Sequence, residues 1–172
     1  TMDLKKIDNI VLVIGKTEGH LDQSVFARDI LNQKKGPPPE INLFNEKNNG
    51  ETVLNLIKKN YIKSAHDVSL GGIITAIAKM CIKGKKGINL KKPKYLISDI
   101  EYFFSEDQGR YLIEVTKKDL KKVTNVLDKN AVHYDELGAI NEDQLYINEK
   151  SKITIDELKS SNTSWLNNYM DN

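Results

Sequence analysis

Several residue types are scarce in this chain, and each scarcity closes off a class of function. Cysteine occurs once, as Cys81. No disulfide framework or cysteine-based zinc site can be built from it, which suits the cytoplasm. Arginine occurs only at Arg28 and Arg110, although Lys and Arg together number 26 and the net charge is +2. Aromatics make up 7%. A nucleic-acid surface draws on arginine and interleaved aromatics, whereas the lysine clusters (Lys34-Lys35, Lys83 to Lys86, Lys91-Lys92, Lys121-Lys122) are scattered and read as solvated faces. No nucleic-acid partner is expected. No apolar run approaches the roughly 20 residues that span a bilayer, and no charged-then-apolar leader is visible, so no membrane partner is expected either. The opening Thr1-Met2 suggests a piece of a longer polypeptide.

What the chain does have is enough length, 172 residues, for one domain with a real core. Ile10 to Ile14 reads as a buried strand. Asp22 to Leu31 carries Val25, Phe26, Ile30 and Leu31 at helical spacing, and Val53, Leu54 and Ile57 outline a second helix ending near Asn60. Gly36-Pro37-Pro38-Pro39 between them forbids helix and imposes a stiff extended connection. Ile62 to Val68 predicts a short strand, followed by an apolar helix to about Ile82 in which Cys81 packs as a small hydrophobe. Gly84 to Pro93 reads as an exposed basic loop. Tyr111 to Val115 is a strong strand, Thr116 to Asp119 resembles a capping box for a helix bearing Leu120, Val123 and Leu127, and Val132 to Leu137 and Leu145 to Asn148 are short strands. The polar helical tail, Ile155 to Met170, has Trp165 as its expected anchor. Strands mix with helices without a regular βαβ repeat. The fold class expected is α+β, a sandwich of a mixed, largely antiparallel sheet with packed helices. Residues 1–152 form the domain and 153–172 a helical tail packed on it.

The most informative stretch is His66-Asp67-Val68-Ser69-Leu70-Gly71-Gly72. It places three polar side chains and free backbone N–H groups at one helix start, where partial positive charge can hold an anion. The same residues also suit an ordinary cap, with Asp67 or Ser69 closing the first turn and the glycines easing the bend. Gly19-His20-Leu21-Asp22-Gln23-Ser24 opens the first helix, with Asp22 or Ser24 able to cap it and His20 in the loop. Ser105-Glu106-Asp107-Gln108-Gly109-Arg110 precedes the strand at 111. Its acids, amide and arginine can orient a polar ligand, or form a surface ion pair worth about 0–1 kcal/mol.

Taken together, in this order and spacing, the Gly-His-Leu-x-Gln-Ser element, the proline cluster, the histidine–glycine turn and Ser-Glu-x-Gln-x-Arg resemble the C-terminal domain of the phosphoribosylformylglycinamidine synthases, over about residues 8 to 148. Aminoimidazole ribonucleotide synthetase, selenophosphate synthetase and a hydrogenase maturation protein share that fold. The resemblance implies a purine-biosynthetic, ATP-dependent ligase of two pseudo-symmetric halves, each a nucleotide-binding domain followed by a domain like this one. ATP phosphorylates the amide oxygen of formylglycinamide ribonucleotide, and ammonia from glutamine displaces the phosphate. The implied cofactors are ATP and magnesium in the full-length enzyme, with none retained by this piece. The implied partners are its own N-terminal nucleotide-binding domains and a glutamine amidotransferase subunit, with a homodimer also open. In the catalytic half of such enzymes the turn's aspartate helps hold magnesium and the Glu-x-Gln element touches substrate; the matching positions here are Asp67, and Glu106 with Gln108. The His-Asp-Val-Ser form resembles the other half, and Leu70 stands where a second acid is usual, which favours packing over cation chemistry. No catalytic residue and no metal ligand is assigned. The ligand-cleft candidates are His20, His66, Asp67, Ser69, Gly71, Gly72, Glu106 and Gln108, with His66, Asp67, Glu106 and Gln108 expected on one concave surface. Two other readings stand beside this one: a structural or docking module without ligand, and a domain of a related synthetase such as the selenophosphate enzyme. The latter would want a reactive cysteine near an N-terminus, which Cys81 does not supply.

Overall fold

Ile10–Ile14 (β1) is apolar at all five positions because both of its faces are covered. Successive strand residues point to opposite sides. Val11 and Val13 enter one core cluster, while Ile10, Leu12 and Ile14 enter the other. The computed structural model describes residues 1–94, 97–148 and 150–170, without the side chains of 165–168. In chain order the elements after β1 are α1 (Val25–Asp29), α2 (Leu43–Lys58), β2 (Ser64–Asp67), α3 (Gly72–Gly84), β3 (Gly87–Leu90), α4 (Asp99–Phe104), β4 (Tyr111–Val115), α5 (Leu120–Lys129), β5 (Tyr134–Asn141), β6 (Gln144–Ile147), β7 (Ser151–Thr154) and α6 (Ile155–Met170).

Among the described residues, seven strands form one sheet in the order β2-β4-β1-β5-β3-β6-β7. Every pairing is antiparallel except β3 with β6. The α+β sandwich is therefore what the chain builds, a mixed and largely antiparallel sheet with helices on both faces. Ile73, Ile77, Met80 and Cys81 of α3 join Tyr102 and Phe103 of α4 on one face, and Val53 and Leu56 of α2 join Val123 and Leu127 of α5 on the other. Strand β7 spans the expected junction at 152–153, and Ile155 at the start of α6 is buried against the α3 face. The expected anchor Trp165 falls outside the described side chains.

Two local expectations are corrected, and one helix is added. Gly84 to Pro93 is not a loop: Ile88 and Leu90 are buried in β3, held between β5 and β6. The first helix is only five residues long, and Ile30 and Leu31 past its end are exposed rather than packed. Helix α4 was not foreseen. It is closed at its start by a full capping box, with Ser98 Oγ accepting from Glu101 N and Glu101 Oε2 accepting from Ser98 N.

Two parts of this frame position the site. A buried carboxylate, Glu114 on β4, accepts from Lys5 N, Asn9 Nδ2 and Ser64 Oγ at 2.6–3.0 Å and from Lys6 N at 3.2 Å, tying the N-terminal segment to the sheet. The loop between α4 and β4 carries the Ser105–Arg110 motif directly beneath the β1–α1 loop.

A candidate cleft built by two adjacent carboxylates

The sheet brings the ends of β1 and β4 together, so the two loops that carry the sequence motifs meet. Arg110 at the foot of β4 is 1% exposed. Its Nε donates to the Asp107 carbonyl, Nη1 to Thr17 Oγ1 and Ser105 Oγ, and Nη2 to the Ser105 carbonyl, while Asp107 Oδ2 lies 3.5 Å from Nη1. Burial pulls the Arg110 pKa below its usual value, and the neighbouring Asp107 carboxylate opposes the shift. This is a buried ion pair rather than the surface bridge that the sequence left open, and Arg110's charge partner is Asp107, not Glu106.

Asp107 does more than neutralise Arg110. Its two oxygens accept from the backbone N–H groups of Glu18, Gly19 and His20, each at 3.1 Å, and from Ser105 Oγ at 2.8 Å. The Gly-His element is thus wrapped around a carboxylate of its own chain. Glu106 acts in parallel: its Oε1 lies 2.8 Å from both Val25 N, in the first turn of α1, and Gly71 N, at the cap of α3. The anion held at the histidine–glycine turn is therefore Glu106. Neither Asp67 nor Ser69 caps α3 through its side chain; Gly71 is the cap residue, and Ser69 contributes its carbonyl to Gly72 N. The α1 cap is Ser24, whose Oγ accepts from Ala27 N. Gly72 has φ +70°, and a Cβ there would stand 2.5 Å from the Ser105 carbonyl oxygen, so this turn passes close beneath the α4–β4 loop.

The candidates divide between two depressions. His20 and the exposed Gln108 line a polar cleft of about 890 Å³, bounded on one side by Lys16, Asp107 and Gly109 and on the other by Pro39 to Leu43 and Glu46. Its lining carries more carboxylate than ammonium, so an anionic ligand bound here needs cations from elsewhere. His66 and Asp67 lie at the edge strand β2 and border a shallower depression of about 590 Å³ beside Leu54, Ile57 and Tyr111. His66 Nδ1 meets Asp67 Oδ1 at 3.0 Å, and its buried Nε2 has no hydrogen-bond partner among the described residues. Burial, with Glu46 and Asp67 nearby, raises the Tyr111 pKa. Leu70 does not pack; it is 65% exposed. Among the described residues no three His, Cys, Asp or Glu side chains converge, and the Asp107 and Glu106 carboxylates are already engaged by backbone N–H groups.

Sequence reasoning missed Asp107 and Gln23 as organising residues. Gln23 Nε2 donates to the Gly36 carbonyl at 2.9 Å, and His20 Nε2 meets the Pro37 carbonyl at 2.9 Å. A carbonyl partner assigns the Nε2–H form of that ring. Two of the motifs that looked independent in the sequence are bonded to each other.

Comparison with known proteins bears on this arrangement. The phosphoribosylformylglycinamidine synthase subunit PurL of Pelagibacter ubique is 70% identical over 172 residues, covering all of this chain and 24% of that protein. The same subunit of Bartonella henselae is 38% identical over 163 residues, covering 95% of this chain and 22% of that protein. The chain therefore spans about a quarter of the length of these relatives. Among solved structures, Thermotoga maritima PurL complexed with FGAR shares the fold over 91% of this chain and 28% of that one, with a TM-score of 0.72 at 16% identity. The family of the AIR synthase related protein, C-terminal domain, matches residues 6–148, the stretch that holds all but the last strand of the sheet and both motif loops. With five-sixths of its length matched, the chain belongs to that family.

Proposed function

We propose that this chain is the C-terminal quarter of a phosphoribosylformylglycinamidine synthase subunit, with residues 1–152 as its domain and 153–172 as a tail on that domain. The 70% identity to the Pelagibacter ubique subunit across the whole chain carries this reading. In it, the complete protein uses ATP to activate the amide oxygen of formylglycinamide ribonucleotide. Ammonia from a glutamine amidotransferase partner then completes the amidine in the cytoplasm. A solved relative complexed with ATP supports the nucleotide requirement. Magnesium, where it is used, is held by the parts of the protein upstream.

The contribution of this chain is a wall. His20 and Gln108 face the larger cleft, His66 and Asp67 the shallower one, and Glu106 with Gly71, Gly72 and Ser69 fixes the turn between the loops. Occupation of the Gly71 N–H by Glu106 favours a structural role for that turn in this half. Ile41 and Leu43, 65% and 77% exposed on the cleft rim, suit a surface that a preceding nucleotide-binding domain covers.

The test is a chimera in which this chain replaces the matching quarter of the Pelagibacter ubique subunit. Its ammonia-dependent release of ADP with formylglycinamide ribonucleotide is expected within about tenfold of the parent, a loss of no more than about 1.4 kcal/mol. A folded, soluble chimera without that activity would overturn the assignment.

A further inference from the structure

Residues 34–41 cross one rim of the larger cleft, and the way they are fastened is unusual. Pro37, Pro38 and Pro39 have no N–H to donate. Among the described residues, no backbone–backbone hydrogen bond involves any position from 34 to 41: the last before the segment is Gln33 N to the Ala27 carbonyl, and the next is Glu46 N to Asn42. All of these positions are exposed except the half-buried Pro39. The segment is held instead by two side chains from the β1–α1 loop, His20 Nε2 on the Pro37 carbonyl and Gln23 Nε2 on the Gly36 carbonyl.

The base of this fastening is rigid. His20 is fixed through its N–H by Asp107 and through its carbonyl by Glu106 N. Gln23 sits at φ +62°, a conformation uncommon for a residue with a side chain, and one that persists where surrounding contacts impose it. The Asp22 side chain fills the space beside Gly36 where a Cβ would stand, and Asn32, at φ +53°, turns the chain into the segment. At the far end Asn42 caps α2 by accepting from Asn45 N.

We propose that residues 34–41 are a strap latched over the cleft rim by His20 and Gln23, and that unlatching it widens the cleft without unfolding the domain. Pro39, Glu40 and Ile41 are themselves part of the lining, so the strap's position sets the width of the opening. The consequence for ligand access rests on the reading of this cleft as a ligand wall; the latch itself does not. His20 and Gln23 are positioning residues here, acting through the strap.

Trypsin provides the test, because cleavage after Lys35 needs an extended stretch through Gly36 and Pro37, whose carbonyls the latch holds. Proteolysis of a locally opened segment follows the population of the open form. The double variant His20→Ala/Gln23→Ala should be cut after Lys34 and Lys35 about tenfold faster than the unchanged chain, as expected for losing two hydrogen bonds. Cuts at other lysines and the melting temperature should stay the same. His20→Gln, which keeps an N–H donor, should restore much of the protection on an intact Gln23 background. Unchanged cleavage after Lys34 and Lys35 in the double variant would overturn the latch. So would faster cleavage at all lysines with a lowered melting temperature, which would make both residues general stabilisers. No ligand enters this assay, so its failure is separable from failure of the chimera.

Discussion

At the scale of single residues, Asp107 carries the greatest structural burden in the cleft. It balances buried Arg110 and accepts three backbone N–H groups from the Glu18–His20 turn. Asp107→Ala removes all of this and leaves a guanidinium in the interior without its counter-charge. The expected loss of stability is on the order of 3–5 kcal/mol, read from denaturant unfolding; a loss below about 1 kcal/mol would show that water replaces the carboxylate freely. Cys81 makes a different prediction. Burial pushes its thiol up to about 12 from an ordinary 9.0, so native protein at pH 8 should resist a thiol-specific reagent and react only when denaturant is added. The sign of the linked effect follows. Above about pH 9 the unfolded chain releases a proton that the folded chain keeps, so stability falls as pH rises. Burial raises Tyr111 and Tyr134 as well, adding to the same slope at higher pH. Cys81→Ala should flatten the first part of that fall, measured as melting temperature against pH.

At the scale of elements, the turn into α3 is the most constrained joint. Gly72→Val would place a branched side chain at φ +70° and drive its Cβ toward the Ser105 and Phe103 carbonyls. Strain and clash together should cost about 1–3 kcal/mol or more; an unchanged melting temperature would refute the geometry. This joint was legible in the sequence, because paired glycines before an apolar helical run have few other uses. Strand β1 was legible for a similar reason, five apolar residues ending at a glycine. Strand β3 was not. Its four residues hold two apolar positions between lysine-rich flanks, and what makes it a strand is the pairing with residues 138–141 and 145–147, far along the chain. Helix α4 hid differently: six residues are too few to show a period, although Ser98 and Glu101 were present as a cap. The site divides along the same line. Its motif positions could be picked out locally, but Glu106 meeting Gly71 and Val25, or Asp107 meeting Gly19, depends on the sheet setting two loops side by side, which no local pattern encodes. Nor did residue type foretell that His66 and Gln108 would border different depressions.

At the scale of the whole molecule, a doubly covered sheet gives the chain its own core. The sequence contains no glycine-rich phosphate loop of the Walker type, and the cleft lining is acidic. The isolated chain should not turn over ATP in a coupled assay above a heat-killed control, and turnover would mean that the nucleotide site lies within these residues. The sheet order also has a consequence in time. Strand β1 occupies the middle of the sheet, yet its two neighbours, β4 and β5, are roughly 100 residues or more further along the chain. At about 5–20 residues per second of synthesis, Ile-Val-Leu-Val-Ile leaves the ribosome about 5–20 s before either neighbour exists. For that interval the most apolar strand among the described residues is a bare edge on both sides, the kind of segment that pairs with other chains when nothing shields it. The sheet order therefore makes β1 depend on shielding during synthesis, until β4 and β5 have emerged to cover its two edges.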